Sequence, residues 1–449
     1  MTNIAHAFDK VKNNLNDYLD PHLVHESCVA AGHTWRDRLL DPVTTLRLFI
    51  LQVMHGNTAC RTLPHLAKMC FSVTAYCNAR SRLPLEVFRD VAACLIRTIR
   101  QQTQDFGRWL GHRVFLVDGT GISMPDEPAL QEAFGQPGGA KPGCGFPVMH
   151  VLWLFDAGTG LVVDLIAGRW NRQDMADVAR LHPSLGPGDV LVGDRGFCSF
   201  VHLSLVLQSN LHAVFRLHQR VITDFTSRRK ARKQYPKRHR CGKPNSRFVK
   251  KLGQEDQQVE YRKPTSKPRW MSPEAFASLP TTIVVRELCY RVQQRGFRTQ
   301  QVTLVTTLID PERYSRKQLA DLYQARWQVE TNLCYLKQTM GLNVLRCKSR
   351  HGVLKELWVY ALVYNWVRLI MLAAADRQGV SVDRISFIDA LDCLRYLRPF
   401  DLWPKLKINP KRSARHQPRV IKRAKDCYPR MTRPRDELRQ QLSMEGFAA

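Results

Sequence analysis

Val114-Phe-Leu-Val-Asp-Gly-Thr-Gly121 sets four consecutive apolar residues against an aspartate, two glycines and a threonine. A short apolar run bounded by turn signals fits a strand buried on both faces, and such strands belong to sheets covered by helices. The sequence on its C-terminal side supplies the rest of that sheet. Residues 147–155 and 161–166 flank Asp156-Ala-Gly-Thr-Gly160 and read as a hairpin. Residues 174–181 read as a helix. Residues 189–192 form a strand that enters Gly193-Asp194-Arg195-Gly196. Residues 199–207 read as a helix and 213–217 as a strand. This order of strands and helices predicts a mixed α/β sheet.

Outward from that core the texture changes. Residues 1–110 carry helical periodicity, clearest over 43–54 and 85–96. Phe71-Ser-Val-Thr-Ala-Tyr-Cys-Asn-Ala-Arg-Ser-Arg-Leu-Pro84 holds two arginines and no acid, so this half reads either as a helical DNA-binding domain or as a plain structural one. Residues 218–300 hold two strand segments, 281–285 and 288–292, and a run from 228 to 251 with twelve Lys or Arg and no acid. A run that dense suits phosphate contact better than a merely solvated face. A buried strand resumes at 302–308. Residues 353–375 and 385–397 predict helices, the first with Asn365 and Arg368 arguing against a membrane span. The tail after Lys405, rich in Arg, Lys and Pro, offers little to pack.

Bulk composition narrows the partner. The 449 residues carry 68 Lys plus Arg against 39 Asp plus Glu, a formal charge of +29. That excess suits a polyanion, nucleic acid first and an anionic membrane surface second. The first ten residues lack the basic-then-apolar order of a signal peptide, which predicts a protein that stays where it is made. The 13 cysteines form no CxxC pair and are expected as reduced thiols. Cys60, Cys70 and Cys77 with His55 and His65 fit no compact zinc spacing. The Pro/Gly-rich loop 135–146 lacks the Gly-Lys-Ser/Thr ending of a nucleotide-phosphate cradle.

Residues 315–341 form one further informative stretch. Ser315 and Gln318 make a capping box, and Gly341 suits the stop. On a single helical wheel, Leu322, Ala325, Val329, Leu333, Leu336 and Met340 span about 80°, and Tyr323, Arg326, Glu330 and Lys337 about 60° beside them. A polar stripe next to a buried one belongs at the lip of a cleft. Asp118 and Asp194 each follow an apolar strand, with a glycine directly after Asp118 and two residues after Asp194, positions where open sheets bind ligands. Three carboxylates could hold two divalent ions roughly 4 Å apart, the arrangement that activates a nucleophile and stabilises a leaving oxygen in phosphodiester chemistry. Hard Mg2+ prefers such oxygens. The competing reading is two turn aspartates and a solvated helical glutamate.

Tyr323, Arg326, Glu330 and Lys337 resemble the Y-R-E-K motif of the IS4 family of insertion-sequence transposases, at that family's spacing. FLVDGTGISMPD (115–126) and VLVGDRGF (190–197) resemble the surroundings of its two catalytic aspartates. The resemblance covers roughly residues 111–345. It implies an RNase H-like catalytic domain (111–217 and 301–375) interrupted by a basic β-rich insertion (218–300). An N-terminal helical domain (1–110) precedes it, and a C-terminal helix and basic tail (376–449) follow. It further implies cleavage at insertion-sequence ends and strand transfer into target DNA. Asp118, Asp194 and Glu330 would be the catalytic, metal-binding triad for two Mg2+ ions, with Mn2+ able to substitute. Tyr323, Arg326 and Lys337 would contact DNA near the transposon end. The partners implied are double-stranded DNA, both ends and target, and a second copy of the chain in the DNA complex. No membrane is implied, and the place is the cytoplasm, on the nucleoid. A silent DNA-binding descendant or a nuclease without strand transfer are the alternatives. One departure stands out: some relatives stack a flipped base on a Trp just before the last core strand, where this chain reads Gln301-Val302-Thr303. Trp270 lies in the insertion and not at the matching place, so the residues leave both a hairpin and another cleavage route open.

Overall fold

The computed structural model describes residues 19–103, 106–138, 141, 143–171, 174–226, 246–292, 301–396, 404–410 and 433–444. Most of the 228–251 run and most of the tail after Lys405 lie outside them. Among the described residues five α-helices come first, α1 (Pro21–Ala30), α2 (Pro42–Met54), α3 (Leu63–Ala67), α4 (Val73–Arg82) and α5 (Leu85–Gln102). Their starts follow from local chemistry. Asp20 and Asp41 cap α1 and α2 ahead of a first-turn proline, and Ser72 caps α4 through the Ala75 N–H. Val87, Phe88, Val91, Ala92, Leu95 and Ile99 recur at helical spacing and are all buried.

The middle of the chain builds one sheet of nine strands. They are β1 (Val114–Ser123), β2 (Val148–Asp156), β3 (Val162–Arg169), β4 (Val190–Gly193), β5 (His212–Arg216), β6 (Arg247–Gly253), β7 (Asp256–Arg262), β8 (Thr282–Arg291) and β9 (Gln301–Thr306). Between them lie α6 (Pro128–Phe134), α7 (Asp174–Asp177), α8 (Phe200–Gln208) and α9 (Pro273–Ala277). The spatial order is β3-β2-β1-β4-β5-β9-β8-β7-β6. β1, β4 and β5 are mutually parallel, and the other pairings are antiparallel. The strands from residues 218–300 therefore continue the sheet through β9.

Residues 282–291 form one strand where the sequence predicts two. The charged centre of β8 is not an interruption because it is paired. Arg286, essentially unexposed, donates to both Asp256 oxygens at 2.8 and 2.5 Å and to the Tyr314 carbonyl at 2.6 Å. Glu287 accepts from Gln257 and from the Tyr261 hydroxyl, both at 2.8 Å. Burying charge is tolerable only with partners this complete.

After β9 come α10 (Arg316–Ala325), α11 (Gln328–Cys334), α12 (Arg350–Gln378), α13 (Phe387–Tyr396) and α14 (Arg435–Met444). Among the described residues α12 alone is long and apolar enough to cross a membrane, and it is almost wholly buried in protein. Two of its buried polar residues hold the β2–β3 hairpin. Asn365 exchanges two 2.8 Å hydrogen bonds with the backbone of Val162, and Arg368 donates twice to the Thr159 carbonyl, at 3.0 and 2.7 Å. A Cβ at Gly160 would come within 2.1 Å of the Arg368 guanidinium, so only glycine fits there. The other end of α12 holds the N-terminal helices. Buried Glu356 accepts from the Asn57 amide at 2.5 Å and from the backbone N–H groups of Arg346 and Cys347. Lys355 donates to the Arg80 and Ser81 carbonyls at the end of α4.

Part of the C-terminal tail does pack. Arg435, at the start of α14, lies 3.0 Å from Asp126 and over the Phe146 ring. The eleven described cysteines are free thiols, and no group among the described residues could hold a metal through His, Cys, Asp and Glu at close quarters.

Candidate active site

β1 carries Asp118 in its interior rather than at its end. The parallel pairing to β4 stops at Leu116, whereas the pairing to β2 continues to Ser123. Beyond Leu116 the edge of β1 is therefore open on the β4 side, and Asp118 stands two residues past the opening. Asp194 follows directly on Gly193, the last residue of β4. Strand alternation puts both side chains on one face: Asp118 shares the face of Leu116, and Asp194 that of Val192. Leu116 and Val192 belong to the same apolar cluster as Leu319, Leu322, Val329, Leu333 and Leu336. The helices that follow β9 thus cover the face from which the two aspartates project.

Those helices are not one straight rod. Around Arg326 and Trp327 the backbone bonds run three residues back, Arg326 to Tyr323, Trp327 to Gln324, Val329 to Arg326 and Glu330 to Trp327. From Tyr335 to Thr339 the chain opens into a π turn, with Met340 bonding back to Tyr335. The helix is overwound at Arg326 and underwound at Lys337, so a single wheel misplaces the four polar residues. Tyr323 is buried instead of lying at the cleft lip. The predicted ends hold: Ser315 and Gln318 form the capping box, and Gly341 stops the turn at φ +85°.

The break places Arg326 between two acids that lie far apart in the chain. Its guanidinium is 3.7 Å from Asp118 and 3.5 Å from Glu330, and it also lies over the Tyr323 ring. Burial pushes the Asp118 carboxyl up to about 6; Arg326 and the Gly119 N–H oppose the rise, and the charges of Asp194 and Glu330 add to it. Asp194 is held in a tight turn, its Oδ1 accepting from the Gly196 N–H at 2.7 Å. Lys337 reaches the same strand: its ammonium donates to the Thr120 hydroxyl at 3.0 Å and to the Gly121 carbonyl at 3.1 Å, and burial lowers its pKa. Just beyond the π turn the chain runs alongside the end of β1. Ser123 donates to the Asn343 carbonyl, and Leu345 donates to that of Ser123. The open edge of β1 is thereby closed by the same segment that delivers Glu330 and Lys337.

Asp118, Asp194 and Glu330 offer only oxygen donors, the kind that hard divalent cations take, and Asp118 and Glu330 share one cationic partner while burial penalises the bare charge of Asp118. Among the described residues the three do not converge into a metal-holding group. Sequence reasoning missed Thr120 and Gly121 as the seat of Lys337. It also missed Arg216, whose charge acts on Tyr323 and Tyr290. The run Asp-Gly-Thr-Gly carried the signal for the first, since glycines inside a strand mark close approach. The paired His150 and Asp174 lie against Gly119, on the opposite face of the sheet from Asp118. Trp270 packs with Val201, Met271 and Leu279 in a separate apolar cluster.

The known proteins that this chain resembles are transposases. The transposase of insertion sequence IS4, InsG, from Escherichia coli K12 is 22 % identical over 404 residues, which cover 86 % of this chain and 84 % of that protein. A solved piggyBac transposase synaptic complex with hairpin DNA superposes with a TM-score of 0.43 and 12 % identity, over 87 % of this chain and 78 % of the other. Residues 109–366, more than half of the sequence, match the family described as Transposase DDE domain. The chain belongs to that DDE transposase family.

Proposed function

We propose that this transposase cuts the ends of an insertion sequence and joins them to target DNA with Asp118, Asp194 and Glu330 holding two divalent ions, Mg2+ by preference. The observation that carries the reading is the shared guanidinium, with acids from positions 118 and 330 drawn to Arg326. When bound, the ions activate the attacking water or DNA 3′-hydroxyl and stabilise the leaving oxygen. The chain's own residues do the rest. Arg326 balances the carboxylates in the free protein, and its fork suits a phosphate once cations take over that task. Lys337 has three donors and spends two on Thr120 and Gly121, which leaves one for a flanking phosphate. Tyr323 stiffens Arg326 from beneath.

The order β3-β2-β1-β4-β5 supports an RNase H-like catalytic core, with residues 218–300 as its insertion and residues 1–110 as a DNA-binding half. Two copies would be needed to hold two element ends, which supports a homodimer in the DNA complex. A strand-transfer assay on linear DNA bearing the flanking element's ends tests the reading. The intact protein should release and join those ends only with Mg2+ or Mn2+ present. Joining by an Asp118→Asn variant at the native rate would overturn it.

A further inference from the structure

A concavity of about 790 Å3 lies well away from the carboxylates, between segment 33–42 and α4. Trp35, Arg36 and Arg38 line it from the segment and Arg82 from the helix, and Phe71 is also in the lining. None of the residues lining it is acidic. Among the described residues none of these three arginines is paired with a carboxylate. Arg80, on the same helix, shows what a structural arginine does here: it donates to Gln52 at 3.0 Å and lies over the Phe49 and Tyr76 rings. The arginines of the cleft have no such employment and are exposed. Uncompensated positive charge in a concave wall concentrates the field on a polyanion.

The face of α4 beside the cleft has a particular make-up. Thr74, Ala75, Asn78 and Arg82 are all exposed, at helical spacing. The small residues lie in the N-terminal half and let the backbone approach a partner closely. Asn78 can pair bidentately with the edge of adenine and Arg82 with that of guanine. The ten residues of α4 span about 15 Å, enough to lie across a major groove roughly 12 Å wide.

We propose that α4 enters the major groove of the transposon end, with Asn78 and Arg82 reading bases and Arg36 and Arg38 holding the adjoining phosphates. The proposal rests on the reading of this chain as an end-binding transposase and adds the surface that recognises the end. α4 is anchored for the task, since Lys355 of α12 holds its last carbonyls.

The test is selection by the full-length protein from a pool of random 20-base-pair duplexes, read by sequencing. The intact chain should enrich one motif. Asn78→Ala and Arg82→Lys should each flatten about one position of it, a loss of about 5- to 150-fold in discrimination. Arg82→Lys keeps the charge and removes only the fork, so its affinity for scrambled DNA should hold. Arg36→Ala and Arg38→Ala should weaken all sequences alike and lower the salt slope by about 0.9 each. Thermal melting confirms that each variant is folded. An unchanged motif in Asn78→Ala and Arg82→Lys overturns the proposal, as does an intact chain that enriches nothing. Asp118→Asn should enrich the native motif. Joining of ends by a chain whose motif ignores Asn78 and Arg82 would defeat this proposal alone; a motif that needs both, without any joining, would defeat the catalytic reading alone.

Discussion

Within β1 Asp118 shares one guanidinium with Glu330, and beside α4 three guanidiniums line a cleft whose lining holds no acid. On the proposed reading the first arrangement would exchange cations, with Arg326 standing in the free protein where the metal ions would balance Asp118 and Glu330. The second is uncompensated and awaits an addition, the phosphates of DNA. A site that exchanges can be buried, because its charge is balanced at every stage. A site that adds must be open to solvent, and among the described residues no carboxylate pairs with Arg36, Arg38 or Arg82. The half-buried Asp118 and the exposed Arg36, Arg38 and Arg82 follow that division.

Breaking the acidic side should give the largest effect. Asp118→Asn, Asp194→Asn and Glu330→Gln should each lower cutting and joining on the order of a thousandfold or more, since residues that act as a unit fail as a unit. DNA affinity measured by filter binding should stay within about twofold. A second break separates the two regions from each other. Glu356→Ala removes the buried acceptor between Asn57 and the 346–347 backbone and should cost about 3–5 kcal/mol in urea unfolding, the loss expected for one partner of a buried charged group.

A third measurement uses a region with neither excess. His182 and His202 are stacked, 3.2 Å apart between Nε2 atoms. Because His202 Nδ1 faces the Phe197 carbonyl, that nitrogen carries the proton and Nε2 accepts from His182. Burial pushes the two rings down to about 3 and about 4. A depressed histidine stabilises the fold above its unfolded pKa near 6.5 and loses that stability as pH falls towards 4. The loss for His182 amounts to roughly 3 kcal/mol. Unfolding at pH 7.5 and 4.5 should show it, and His202→Gln should flatten the difference; equal slopes for both chains would refute the neutral pair.

The smallest effects sharpen the contrast. Arg326→Ala should let the DNA-free protein bind Mn2+ several-fold more tightly, read by electron paramagnetic resonance, because a competing cation has gone. Lys348→Ala removes an exposed contact with Glu127 and should change stability by less than about 1 kcal/mol.

Much of the sheet was legible because its central strands are short apolar runs. The hairpin around Asp156–Gly160 and the strands ending near Asp194 and Phe215 lie within a residue or two of expectation. Asp118 was placed at a strand end because the glycines after it read as a turn; β2 carries β1 onward regardless. The helix of 315–341 was read as continuous because its residue types all favour helix. Its two changes of winding come from tertiary demands, the ion pairs of Arg326 and the seat of Lys337 on β1, and no local pattern records them. The link from Asn57 to Glu356 spans 299 residues, and no spacing rule joins positions that far apart. The cleft beside α4 stayed hidden for the same reason, since its second wall is an irregular segment.

From Lys355, which grips α4, to Arg368, which grips the β2–β3 hairpin, α12 runs unbroken for about 20 Å. A helix neither stretches nor twists as a linker does. If α4 reads the end and the carboxylates cut it, as proposed, the gap between the base pairs read and the phosphate cut would be a rigid gauge with a fixed phase. Five base pairs inserted within the element's end would turn the target phosphate to the far side of the duplex, since a full turn takes about ten. The protein has no hinge there with which to follow it. Drift in the spacing of such ends should therefore be punished more severely than drift in their sequence.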